Sequence, residues 1–97
     1  MKKAETINTL KEIMNDNPNI IRVAYGTDDD IHFIAKAGII HVYKNYLEIG
    51  LGSMGSMECL CSVELSDINE IALGKHTCGY TLNVYFGNEN FFDVIIG

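Results

Sequence analysis

Three cysteines, three histidines and thirteen carboxylates are the side chains on this chain best suited to ligate a metal, and they can also attack an electrophile or move a proton. Cys59-x-Cys61 and His76-x-Cys78 together offer three thiolates and one imidazole, which is a recognised zinc set. The spacing argues against a zinc knuckle, whose paired ligands stand about two to four residues apart. On a strand, though, positions i and i+2 share a face, so both thiols can converge. The competing reading is cysteine as a small core hydrophobe. The expectation is therefore no cofactor, with zinc on Cys59, Cys61, His76 and Cys78 as the minor alternative. A Cys78–His76 nucleophile pair would need a thiolate-stabilising setting and a third orienting group, and neither is legible.

Gly50, Gly52 and Gly55 spell G-x-G-x-x-G after the strand Tyr46-Leu47-Glu48-Ile49. A dinucleotide site needs that loop to open a helix, whose N-terminal N–H groups then meet the pyrophosphate. Ser56 to Val63 instead continues as strand, so a nucleotide is not expected. The stretch reads as a glycine-loosened hairpin loop carrying Met54 and Met57, and such side chains repack readily against a protein. Asp28-Asp29-Asp30 lacks the alternating ligands and distal Glu of an EF-hand and reads as a solvated turn. No G-x-S-x-G, H-E-x-x-H or paired-carboxylate signature is present, and no enzymatic activity is expected.

The elements that would position these groups are legible from periodicity. Ala4, Ile7, Leu10, Ile13 and Met14 recur at three- and four-residue steps and predict a helix over 2–16 with one apolar stripe. Pro18 ends it, because the residue before proline avoids helical angles. From Ile20 the period becomes two. Ile21, Val23 and Tyr25 share one face of the first strand, and Ile31 to Lys36 forms the next. Ile39 to Tyr43 returns through Lys44-Asn45, a tight hairpin, into Tyr46 to Ile49. Glu58 to Glu64 follows the glycine loop. Leu65 to Ile71 reads as one helical turn running into a strand, Glu70 to Leu73. Tyr80 to Phe86 and Phe91 to Ile96 close the chain as a hairpin across Gly87-Asn88-Glu89-Asn90. Short connections argue for antiparallel neighbours.

The chain of 97 residues is expected to form one domain over 1–97, with the β region spanning 20–96. The fold class is α+β: an N-terminal helix packed on an antiparallel sheet of about six or seven strands, curled toward a small barrel.

Residues 39–96 resemble bacterial PH-like or GRAM-like domains. The resemblance rests on the hairpin Ile40-His41-Val42-Tyr43-Lys44-Asn45-Tyr46-Leu47-Glu48-Ile49, the segment Val63 to Ile71, and the hairpin Thr81 to Phe92. It implies a curled antiparallel sheet that binds other molecules. Such domains close with a C-terminal helix, whereas this chain carries its helix first and ends on a strand. No site transfers, since a lipid-binding version would need basic residues that this stretch lacks.

Charge sorts the possible partners. The net charge is -6. Residues 1–44 are balanced, with Lys2, Lys3, Lys11, Arg22, Lys36 and Lys44 against Glu5, Glu12, Asp16, Asp28, Asp29 and Asp30. Residues 45–97 hold Lys75 alone against Glu48, Glu58, Glu64, Asp67, Glu70, Glu89 and Asp93. Direct nucleic-acid binding and anionic membranes are disfavoured, since both need Lys and Arg. A basic protein partner, such as a nucleic-acid-binding protein, suits the acidic half. The N-terminus lacks the apolar core of a signal peptide, no run is long enough to span a bilayer, and an odd cysteine count fits a reducing compartment. A cytoplasmic location is expected.

These readings converge on a small acidic protein-binding protein without catalysis. It suits a phage or mobile-element inhibitor of a host defence complex, an anti-CRISPR-like role. Expected partner-binding residues are Glu48, Met54, Met57, Glu58, Glu64, Asp67, Glu70 and Glu89. The alternatives are a PH-like accessory domain that forms homo-oligomers through an open sheet edge, and a zinc or redox module.

Overall fold

A computed structural model describes residues 2–53, 56–77 and 79–97, with side chains throughout except at 51, 53, 56–60 and 76. The chain opens with helix α1 (Lys3–Asn15). Among the described residues eight strands follow: β1 (Ile20–Thr27), β2 (Asp30–Ala35), β3 (Ala37–Val42), β4 (Tyr46–Ser53), β5 (Ser56–Glu64), β6 (Ile68–His76), β7 (Gly79–Phe86) and β8 (Asn90–Ile96). A 3₁₀ turn, Leu65–Asp67, joins β5 to β6. The class is α+β, as the periodicities predict.

The expected single sheet of six or seven strands is instead two antiparallel sheets, ordered β2-β1-β8-β7-β6 and β3-β4-β5, with no closed barrel among the described residues. The division arises at Lys36, a bend between β2 and β3. Before it the chain pairs with β1, and after it with β4. Alternation continues across the bend, so periodicity alone does not register the change of sheet. Gly38 sits where the sheets meet. A Cβ there would stand 2.5 Å from Val23 Cγ2 and 2.6 Å from the Gly50 carbonyl oxygen.

Helix α1 lies against β3 of one sheet and β6 of the other. Ile7 and Leu10 are buried, and Ile13 and Met14 pack against the core from its rim. Ala4, expected in the stripe, is exposed, and Thr6 is buried in its stead. Thr6 tolerates this because its hydroxyl donates to the Lys2 carbonyl at 3.2 Å within the helix. The helix ends as Pro18 requires, with Asn17 in the left-handed region at φ 51°.

The core joins both sheets and the helix: Leu10, Val23, Leu47, Ile49, Leu82, Val84 and Val94 are fully enclosed. In β1 the expected face is corrected at its start. The register shifts between Ile20 and Arg22, so Ile20 is buried and Ile21 turns outward, half exposed. The glycine stretch is also corrected, from a long loop to ladder. Gly50 pairs with Ile39 and Leu60, and Gly52 with Ala37 and Met57. The close approach that demands glycine is at Gly38, where a Cβ would meet the Gly50 carbonyl oxygen. The hairpin tip, Met54 and Gly55, lies outside the described residues.

Candidate functional site

Two surface regions gather groups able to bind. The first is the seam where α1 meets the β3–β4 hairpin. The two-residue hairpin Lys44-Asn45 is closed by the Tyr43 N–H donating to the Tyr46 carbonyl at 2.9 Å. Tyr43 and Tyr46 therefore face each other across the strands, and their rings stack at 4.6 Å and 27°. His41 continues the row, 6.0 Å from Tyr43. Beside it runs a groove of about 640 Å³ whose lining includes Lys3, Lys11, Lys44, Tyr43 and Ser66. Lys3 spans the seam, its Nζ donating to the carbonyls of Leu65 at 2.9 Å and Ile68 at 3.3 Å. Partial loss of solvent, then the Glu48 carboxylate and the Tyr46 phenol, push the Tyr43 hydroxyl above its usual range. The signal for this row was in the sequence: tyrosines flanking a two-residue hairpin are cross-strand neighbours.

The second region is one end of the five-stranded sheet, built by three turns. In the β1–β2 turn Asp28 and Asp29 both have positive φ, 53° and 66°, as a tight hairpin of the mirror-image type requires. The β7–β8 turn lies beside it, with the Asp28 N–H donating to the Glu89 carbonyl at 3.1 Å. The same turn reaches the 3₁₀ turn, where the Gly87 N–H donates to the Asp67 carbonyl at 2.9 Å. Asn69 Nδ2 adds a bond to the Gly87 carbonyl at 3.0 Å. Asp28, Asp29, Asp67 and Glu89 thus belong to neighbouring turns, and all four are exposed. A side-chain hydrogen bond with Asp28, reinforced by the charges of Asp28 and Asp29, raises the Glu89 carboxyl above its ordinary value.

The expected partner-binding residues fall in several places. Asp67 and Glu89 come together at the acidic end, joined by Asp28 and Asp29. Glu64 ends β5 and lines a groove with Lys44 and Ser66. Glu48 is half-buried on β4 between His41 and Ser62. Glu70 is exposed on β6 opposite Tyr85. Met54 lies outside the described residues, and so do the side chains of Met57 and Glu58.

Of the zinc set, Cys61 is half-buried opposite Ile49 and packs on the core. Cys78 lies outside the described residues, as do the side chains of Cys59 and His76. By backbone register Cys59 sits opposite Leu51 in the three-stranded sheet, and His76 ends β6 in the other. Among the described residues, no three His, Cys, Asp or Glu side chains are grouped to hold a metal ion, and no helix is long and apolar enough to cross a membrane. Comparison with protein-family models, curated proteins and solved structures returned no match.

Proposed function

We propose that this chain is a non-catalytic, cytoplasmic protein-binding protein. Its acidic end engages a basic protein partner, as an inhibitor of a nucleic-acid-handling host defence complex would. One observation carries the reading: hydrogen bonds between three turns gather Asp28, Asp29, Asp67 and Glu89 from segments far apart in sequence. Opposite potentials on two surfaces speed encounter and reject wrong partners. The side-chain hydrogen bond to Asp28, with the charges of Asp28 and Asp29, raises the Glu89 carboxyl, and a cationic partner favours its charged form.

The test is capture from native host lysate, treated with nuclease, by the wild-type chain and by the triple variant Asp28→Asn, Asp29→Asn, Glu89→Gln. Asparagine tolerates the positive φ at residues 28 and 29, so the turn is kept. Wild type should retain a basic protein in a salt-sensitive way, and the variant should lose it. Equal retention by both would refute the acidic contact.

The PH-like reading is supported by the passage of one chain segment from sheet to sheet at Lys36 and by the core that the two sheets share. In that reading the chain is an accessory domain that also associates with itself.

A further inference from the structure

Strand β2 ends the five-stranded sheet. It pairs with β1 on one side and, among the described residues, with no strand on the other. Native sheets usually shield such an edge with charge, proline or a covering element. Between Asp30 and Lys36 this edge carries no Asp, Glu, Lys or Arg. Ile31, Phe33 and Ile34 are 47%, 45% and 53% exposed. Phe33 stands opposite Tyr25 and Ile34 opposite Ala24, so apolar groups occupy both faces of the strand. Charge is confined to its two ends and differs in sign: Asp28, Asp29 and Asp30 at one, Lys36 at the other.

We propose that two copies of this chain pair β2 edge to edge, antiparallel, about a two-fold axis, so that their five-stranded sheets become one continuous sheet. Antiparallel pairing directs Lys36 of each copy toward the acidic turn of the other. Parallel pairing would set carboxylates against carboxylates, which Coulomb repulsion disfavours. A two-fold contact uses the same patch on both copies and closes on itself, so association stops at the dimer. A two-fold axis at Phe33, beside the register shift between Tyr25 and Gly26, sets Lys36 of each copy opposite Asp30 of the other. This inference does not depend on the acidic end binding a basic partner.

Sedimentation equilibrium across a concentration series tests it. The wild-type chain should show a reversible monomer–dimer equilibrium. Ile34→Lys places a charge in the pairing edge and should weaken the dimer about tenfold or more. Residue 34 is exposed, so the variant should fold, and circular dichroism checks this. Lys36→Asp should weaken the dimer, and Asp30→Lys combined with Lys36→Asp should restore it. Hydrogen exchange of the wild type supplies a readout without mutation: β2 amides should gain protection as concentration rises. A strict monomer at all concentrations, an open-ended polymer, or a dimer indifferent to Ile34→Lys would overturn the proposal.

Discussion

Asp28 donates its backbone N–H to the carbonyl of Glu89 at 3.1 Å, which fixes two acidic turns side by side. Glu89 itself sits at φ 67°, a region that glutamate rarely adopts. The side chains of these turns add a pH-dependent contribution to stability. The Glu89 carboxyl is raised in the folded state by its hydrogen bond to Asp28 and by the charges of Asp28 and Asp29. Between the unfolded and folded values the folded chain binds more protons than the unfolded chain. Stability therefore falls as pH rises through that window and recovers on acidification. Denaturant melts across the weakly acidic range should show this fall, and Glu89→Gln should flatten it. A Glu89→Gln profile superimposable on wild type would contradict the coupling.

Gly38→Ala should destabilise the fold by about 1–3 kcal/mol, the usual cost of overpacking. The added methyl would stand 2.5 Å from Val23 Cγ2 and 2.6 Å from the Gly50 carbonyl oxygen, and the latter is backbone that cannot rotate away. Urea denaturation reads the loss. Stability equal to wild type would mean the two sheets are not pinned together there.

Leu10→Ala should cost about 2–5 kcal/mol, because Leu10 is fully enclosed between helix and sheets. Ala4→Ser, on the exposed side of the same helix, should change stability by no more than about 0.5 kcal/mol. Thermal melts of the two variants distinguish the observed helix face from the five-residue stripe that periodicity suggests.

That difference marks how far the sequence could be read. The alternation Tyr80, Leu82, Val84, Phe86 identified a strand, and Leu82 and Val84 are enclosed with the two aromatics at the rim. Pro18 placed the end of the helix. Local periodicity cannot report a bulge, which is why Ile20 rather than Ile21 faces inward. Nor can it report a bend such as Lys36 that hands a strand from one sheet to the next. The acidic end was half legible. Asp67 and Glu89 stood out by charge, but their proximity to Asp28 follows from β1 pairing with β8, Thr27 opposite Asn90, a contact between the two ends of the β region. The glycine stretch reads as a loop because glycine disfavours strands, yet Gly50 and Gly52 pair on both sides within the ladder.

Lys3→Met should loosen the seam between α1 and the 3₁₀ turn. Lys3 Nζ donates to the carbonyls of Leu65 and Ile68, and methionine keeps the apolar stem while losing both bonds. Each ordinary hydrogen bond is worth about 0.5–1.5 kcal/mol, and solvent exposure puts this pair at the lower end. Hydrogen exchange should speed at residues 65–68 more than in β7 or β8. Uniform exchange across the chain would show that the bonds do not hold the seam locally.

Tyr43 gives a site-specific titration. Its hydroxyl is raised first by partial desolvation, then by Glu48 and Tyr46. Glu48→Gln removes the negative charge and keeps the side-chain shape, so the Tyr43 value should move down toward the ordinary phenol range. Tyr46→Phe should lower it by a smaller step, since that neighbour contributes less than Glu48. Carbon-13 NMR of labelled tyrosine follows each ring separately, and Tyr85, outside this cluster, serves as the internal control. A Tyr43 titration unmoved by Glu48→Gln would show that the carboxylate does not face the aromatic row, and would remove Glu48 from that surface.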